Sequence, residues 1–218
     1  RSGCSLHSTA SEYDASTRAV CEALEIDLRE LEDWNCCGST SAHSMNAELA
    51  KLLPARNLEI AGRAGLDLMI PCAACYSRSK MAEMELAEAG EVAVETSANG
   101  QIRIDHILDV LAEAEVLDKI RGSVTRKLEG LKAVCYYGCL TVRPPKVTGA
   151  RNPENPESMD RLVEVTGAEA IPWSYKTDCC GASLTLTRSD VVLKLIDRLL
   201  VIAQEAGAEC VVVACSMC

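Results

Sequence analysis

Two short stretches decide how this chain is read: "DWNCCGST", Asp33–Thr40, and "KTDCCGAS", Lys176–Ser183. Each sets two adjacent cysteines before a glycine, in nearly the same company. Neighbouring side chains of an extended segment point to opposite sides. A Cys-Cys pair is therefore poorly built to grip one small ion and better suited to something larger or bridged.

Working outward, the pairs fall into two series. Gly3-Cys4, Cys36-Cys37-Gly38 and Cys72-Ala73-Ala74-Cys75 make the first; Gly138-Cys139, Cys179-Cys180-Gly181 and Cys215-Ser216-Met217-Cys218 make the second. The differences 179 minus 36, 180 minus 37, 215 minus 72 and 218 minus 75 are all 143, whereas 139 minus 4 is 135. An internal repeat of this kind signals duplicated architecture. The extra eight residues of the second half fall in "VRPPKVTGARNPENPE", Val142–Glu157, whose four prolines predict a loop. Beyond it Arg18 aligns with Arg161, Lys51 with Lys194 and Leu52 with Leu195.

Hydrophobic spacing gives each half the same plan. "STRAVCEALE" and "MDRLVEVTG" read as helices ahead of the Cys pairs. "NAELAKLLPARNLEIAGRAG" and "SDVVLKLIDRLLVIAQEAG" read as helices after them, with Pro54 expected to bend or delay the first. "LDLMIP" and "ECVVVA" read as buried strands running straight into C-x-x-C, and "LKAVCYYGC" as a strand delivering Cys139. "IRIDHILDVLAEAEVL" is expected to be an amphipathic helix, with Ile104, Ile107, Leu108 and Leu111 on one face. Ligands at the carboxyl ends of strands are an α/β arrangement. The predicted fold is thus α/β, two pseudo-symmetric repeats with short parallel-type strands leading into the ligands and the two sites facing each other. The expected divisions are an N-terminal repeat over 1–95, a helical linker over 96–131 and a C-terminal repeat over 132–218. The chain begins at Arg1 without a Met and stops on a C-x-x-C cysteine, so it is read as trimmed at both ends. Symmetry calls for a strand before Gly3 and a helix after Cys218.

Composition narrows the chemistry. The 218 residues carry a net charge of -10, which lacks the basic footprint of a nucleic-acid binder. No apolar run reaches the ~20 residues of a membrane span, and no signal peptide is visible; a cytoplasmic location is the expectation. Thirteen cysteines in such a chain point to metal or cluster ligation rather than to the disulfide framework of a small secreted domain. Zinc and a cubane iron-sulfur cluster each take four ligands. Each repeat offers five, two of them adjacent, which points to an iron-sulfur cluster other than an ordinary cubane. Glycines beside the ligands let backbone N–H groups approach the cluster sulfurs and tune its potential.

The pattern Cys-x31-Cys-Cys-x34-Cys-x-x-Cys, repeated with x39 in the second half, resembles the twin cysteine-rich CCG motif of the heterodisulfide reductase B-type family. "SGCSLHSTASEYDASTRAVCEALEIDLRELEDWNCCG" and "CYYGCLTVRPP" resemble it beyond the cysteines, and the likeness spans essentially the whole chain. The resemblance implies two noncubane [4Fe-4S] clusters. Cys4, Cys36, Cys37, Cys72 and Cys75 would ligate one; Cys139, Cys179, Cys180, Cys215 and Cys218 would ligate the other. It further implies reduction of a disulfide, CoM-S-S-CoB or an analogue, to two thiols between the clusters, as in methanogenesis. Related proteins in which one CCG site carries zinc leave that ion open for one half. The implied partners are the small C-type heterodisulfide reductase protein with two cubanes and the flavin-bearing A-type protein, since no ferredoxin-type cysteine run supplies a wire here. Two other readings stay open: an electron-transfer CCG subunit of a flavin-dependent 2-hydroxyacid oxidase-type complex, and a zinc or cluster assembly scaffold.

Cys21, Cys135 and Cys210 remain over. Cys21 and Cys210 read as small buried hydrophobes. Cys135 is a competitor of Cys139 for ligation, with the role assigned to Cys139 because Gly138-Cys139 matches Gly3-Cys4. His7 and His43 lie near expected ligands; they read first as structural or surface histidines and second as proton donors to a departing thiolate. Arg18 and Arg161 suit either an anionic substrate group or packing.

Overall fold

The structure is a computed structural model and describes residues 3–39, 42–90 and 102–218. After a turn carrying Cys4, α1 (Ser11–Ala23) starts with Glu12 and Asp14 in its first turn, where carboxylates oppose the positive end of the helix dipole. An irregular segment then leads through Cys36-Cys37-Gly38 to the single turn α2 (Ala42–Met45) and to α3 (Ala47–Ala64). Asn46 caps α3 by accepting the Leu49 N–H at 3.0 Å, and Gly65, in the left-handed region at φ 65°, ends it. Pro54 does not delay α3: the helix starts at Ala47 and runs through a buried Pro54. The adjoining Leu53 carbonyl accepts from the Asn35 and Asn57 side chains.

Strand β1 (Leu68–Ile70) follows, then α4 (Ala73–Glu88), whose N-cap is Cys72. The segment expected to be one amphipathic helix is instead β2 (Ile104–His106), α5 (Ile107–Leu111) and α6 (Ala114–Ser123). Ile104 and His106 point inward and Asp105 less so, a period of two that pairs β2 parallel to β1 with Leu68 opposite Ile104 and Ile70 opposite His106. The linker is therefore not wholly helical. It stitches the halves: Ile104 joins the first core and Leu108 the second.

The second half begins with β3 (Lys132–Tyr136), passes Cys139, and folds part of the proline-rich stretch into the single turn α7 (Pro145–Thr148). Tyr76 of α4 donates its hydroxyl to the Thr148 carbonyl at 3.1 Å, so this stretch packs on the first half. Then come α8 (Ser158–Val165), β4 (Glu169–Ala170), a 3-10 turn over Ala182–Leu184, α9 (Ser189–Glu205) and β5 (Cys210–Val213). Strand β3 lies between β4 and β5, parallel to both.

The architecture is α/β, with two small parallel sheets, one per repeat. The cores are built from Leu, Ile, Val, Ala, Tyr and Cys, as a chain without Phe requires. Strand β1 runs into Cys72, β3 towards Cys139 and β5 into Cys215, so the carboxyl edges of both sheets deliver cysteines. The strand expected before Gly3 lies outside the described residues. Helices α3 and α9 occupy equivalent places in the repeat, and α3 packs against α4 and α2 whereas α9 packs against the 3-10 turn over Ala182–Leu184. On α9, Leu193 and Leu200 are 67% and 55% exposed.

Candidate functional site

Within the first half, three separate segments bring five thiols together. Cys4 and Cys36 stand 3.6 Å apart at the exposed side. Behind them, Cys75 donates to buried Cys37 at 3.3 Å. The second half repeats both pairings. Cys180 and Cys218 are 3.6 Å apart, at positions displaced by 143 from Cys37 and Cys75. Cys139 bonds Cys179 as Cys4 bonds Cys36. The ten cysteines expected from the repeat thus gather as two sets of five.

Backbone geometry repeats as well. Gly38 N–H points at Cys36 Sγ at 3.4 Å and Gly181 N–H at Cys179 Sγ at 3.3 Å. Both glycines hold positive φ, 71° and 77°, and a Cβ there would fall 2.8 Å from Leu53 and 2.9 Å from Leu195. Conformation disfavours a side chain at both, and at Gly38 a Cβ would also meet the Ala42 Cβ at 2.8 Å.

Electrostatics follow the pairings. The Cys75 thiol, helped by the Cys75 and Ala74 N–H groups and the Ser216 hydroxyl, holds Cys72 down to about 5 against burial. Cys215 is likewise lowered, chiefly by the Cys218 thiol and then by the Met217 and Cys218 N–H groups, again against burial. Cys75 and Cys218, the donors, are pushed up by the neighbouring sulfurs that they bond. Cys180 is held at about 6 by the Cys218 thiol first, despite burial. Burial, then Cys179, pushes Cys139 up to about 11. Each half thus combines thiols poised to ionise with thiols that donate to them.

The halves meet at these cysteines. Ser5 and Ser216 hydroxyls lie 2.9 Å apart, and Ser216 also bonds Cys72 across the boundary. The Tyr13 hydroxyl lies 3.4 Å from the Pro71 carbonyl and 3.3 Å from that of Ala214. These residues immediately precede Cys72 and Cys215. Burial, followed by the charges of Cys215 and Cys72, pushes the Tyr13 pKa up, keeping it a neutral donor.

In each half one thiol, Cys75 or Cys218, bonds two others, and a further pair, Cys4–Cys36 or Cys139–Cys179, stands beside them. Among the described residues no group of three or more His, Cys, Asp or Glu side chains is gathered round a single-ion position. A polynuclear group takes its ligands at separate irons, and an all-thiol donor set suits iron-sulfur chemistry. The residues present fit such a group.

Other expected residues fall elsewhere. Cys21 and Cys135 are buried and Cys210 opens β5; burial pushes Cys135 up to about 12. His43 is exposed on α2 beside Ser44. Arg18 is tied to Asp14 and Glu30 rather than left for a substrate, and Arg161 lines a cavity of about 730 Å³ bounded by α4, α5 and the 148–158 loop. None of the ten cysteines lines that cavity, so it is not a chamber between the two sets.

Sequence reasoning missed Tyr13, Ser5, Ser216 and Lys176. Lys176 is buried, ion-paired with Asp160 at 2.8 Å, and its carbonyl accepts the Tyr137 and Gly138 N–H groups, fixing the turn that carries Cys139. The nearest signal was its place three residues before Cys179.

Among the described residues no helix is long and apolar enough to cross a membrane. Relatives were found along nearly the whole chain. The 8-methylmenaquinol:fumarate reductase membrane anchor subunit of Wolinella succinogenes is 29% identical over 99% of this chain and 78% of its own length. The B-type subunit of the ferredoxin:CoB-CoM heterodisulfide reductase of Methanosarcina mazei is 28% identical over 99% of this chain and 76% of its own. Its counterpart in the ferredoxin/F(420)H(2)-dependent CoB-CoM heterodisulfide reductase of Methanosarcina acetivorans is 27% identical over the same shares. The model of the cysteine-rich domain family CCG matches twice, over residues 2–78 and 133–218. Taken with the duplicated thiol pairings, these matches mean that the chain belongs to the cysteine-rich CCG domain family and carries two copies of its domain.

Proposed function

We propose that this chain is the catalytic iron-sulfur subunit of a heterodisulfide reductase-type complex. Cys4, Cys36, Cys37, Cys72 and Cys75 hold one noncubane [4Fe-4S] cluster, and Cys139, Cys179, Cys180, Cys215 and Cys218 hold the other. The observation that carries this reading is the repetition of the Cys37–Cys75 pairing as Cys180–Cys218, in halves that touch through Ser216 and Cys72. When bound, the two clusters supply two electrons, one each, to a sulfur–sulfur bond.

The chain's own residues prepare for this. Cys72 and Cys180 are held as thiolates, the form a metal binds, and Cys215 is shifted towards that form. Gly38 and Gly181 direct N–H dipoles at sulfur, which stabilises negative charge there. Tyr13 ties the two strand ends that lead into Cys72 and Cys215, fixing the span between the sites. The balanced reaction takes a disulfide, two electrons and two protons to two thiols, with CoM-S-S-CoB or an analogue as substrate. Electrons arrive from partners, the cubane-bearing C-type and flavin-bearing A-type proteins of such a complex, in the cytoplasm. The repeats 1–95 and 132–218 act as the two arms of the site, joined by 96–131.

A second reading draws on the relative named as a fumarate reductase anchor: the chain relays electrons in a quinol-linked complex and cleaves no disulfide. Thiol release separates the two. Anaerobically loaded chain, supplied with a reduced viologen and CoM-S-S-CoB, is expected to release two thiols per two electrons consumed. Oxidation of the viologen by a quinone without thiol release from any disulfide would favour the relay.

A further inference from the structure

The segments that carry Cys4 and Cys36 also hold a network that the cysteines do not account for. His7 sits on the turn that begins at Cys4, and its Nε2 lies 2.7 Å from Glu30 Oε1. The same carboxylate accepts Trp34 Nε1–H at 3.0 Å and Arg18 Nη2–H at 3.2 Å. Arg18 in turn donates Nε–H to Asp14 at 2.7 Å. The imidazole stacks on the Trp34 indole, ring centres 5.4 Å apart and planes inclined by 24°. One ring nitrogen and one ring face are thus fixed, whereas Nδ1 has no partner among the described residues. The side chain remains 45% exposed.

The two segments carrying this stack also carry the exposed Cys4–Cys36 pair: His7 follows Cys4 by three residues and Trp34 precedes Cys36 by two. Nothing equivalent exists among the described residues of the second half. At the 135-residue offset His7 corresponds to buried Val142, and at 143 Glu30 and Trp34 correspond to Trp173 and Thr177.

We propose that His7, oriented by Glu30 and Trp34, donates one of the two protons of the disulfide reduction, to the thiolate released at the first site. This rests on the disulfide-reducing function proposed above. A histidine hydrogen-bonded to a carboxylate at one nitrogen is fixed in tautomer and orientation and presents the other nitrogen for proton transfer. In the balanced step the sulfur–sulfur bond breaks with two electrons delivered by a reduced iron-sulfur partner. One thiolate takes the Nδ1 proton of imidazolium; the other takes its proton from water at the second half. Solvent then reprotonates His7 through its exposed edge. Glu30 is a positioning residue, acting through the ring. The charged groups around the imidazole are Glu30, Arg18 behind it and Asp14 behind Arg18, with the Cys4 and Cys36 thiols on the adjoining segments.

The test uses anaerobically loaded wild type, His7→Gln and His7→Ala, with iron per chain, thiol release across pH and the effect of added imidazole. A second readout is calorimetric binding of 2-mercaptoethanol in two buffers of different ionisation enthalpy, which counts protons without turnover. The proposal expects unchanged iron in both variants and thiol release slowed about 10²-fold. It also expects loss of the alkaline limb of the pH profile, restoration of His7→Ala by imidazole, and about one more proton passed to buffer on thiol binding by the variants. Wild-type rates and pH profile in both variants would overturn it. Loss of iron in both would overturn it too, making the ring a brace for the cysteine loop. If loaded wild type cleaves no disulfide, the functional reading falls and this inference with it; if wild type cleaves and the variants match it, only the inference falls.

Discussion

The carbonyls of Pro71 and Ala214, residues at equivalent positions 143 apart, share one hydroxyl, that of Tyr13. A single O–H donates to one of them at a time or divides between both. Either way, one side chain from the first repeat sits where the two repeats are related, directly behind Cys72 and Cys215. The duplication is therefore read in space as well as in sequence, and the two halves are tied where their cysteines begin.

Tyr13→Phe removes that tie without changing shape. Two carbonyls lose their shared donor, and a net hydrogen bond contributes about 1 kcal/mol, more where an acceptor is left buried. Urea denaturation is expected to place the variant about 1–2 kcal/mol below the wild type. An unchanged midpoint would mean that the hydroxyl is not engaged.

Lys176 and Asp160 form a buried ion pair, with side chains 6% and 14% exposed. Tyr137 donates to the same carboxylate at 2.6 Å. Lys176→Met leaves that charge uncompensated, which costs about 3–5 kcal/mol at buried pairs. Breaking the exposed Arg29–Asp27 pair should leave the denaturation midpoint nearly unchanged. Denaturation of the two variants side by side checks the contrast.

Gly181→Ala introduces a Cβ 2.9 Å from Leu195 into a residue at φ 77°. The left-handed conformation alone costs about 1–2 kcal/mol for a residue with a side chain. The N–H that points at Cys179 must shift. The expected outcome is loss of iron from the second set alone, measured as iron per chain, with the first set still loaded.

Thiol acidity gives a pH test on the cluster-free chain. Cys180, held at about 6, is mainly thiolate at pH 7, whereas Cys139, pushed up to about 11, is not. The thiolate is the nucleophile, so iodoacetamide should label Cys180 ahead of Cys139. A lowered value means that thiolate is lost as pH falls through it, so labelling of Cys180 should slow as pH falls below about 6 while Cys180 still reacts ahead of Cys139. Mass spectrometry of the labelled peptides reads both points.

Much of this architecture was legible in the cysteines themselves. The constant offset between Cys36 and Cys179 required two alike halves, and "LDLMI" and "CVVV" ahead of C-x-x-C read as strands because a short apolar run feeding a ligand has few other uses. What stayed hidden depended on partners distant in the chain. Ile104, Ile107, Leu108 and Leu111 satisfy a helical period, and only the presence of β1 alongside turns 104–106 into a strand. Pro54 was expected to bend or delay α3, yet the helix starts at Ala47 and runs through it, with the proline buried against the rest of the fold. Lys176 has nothing in its immediate sequence to mark it as buried; Asp160, its partner, lies sixteen residues earlier. His7 was visible as a histidine near a ligand, but Glu30 and Trp34, which orient it, lie more than twenty residues away.

The most direct test of the central claim is iron, zinc and acid-labile sulfide per chain, on protein prepared without oxygen, for wild type, Cys37→Ser and Cys180→Ser. Two four-iron clusters predict about eight irons and about eight sulfides in the wild type, and about four of each in either variant. Zinc without sulfide, or iron unchanged in both variants, would contradict the assignment of these ten cysteines.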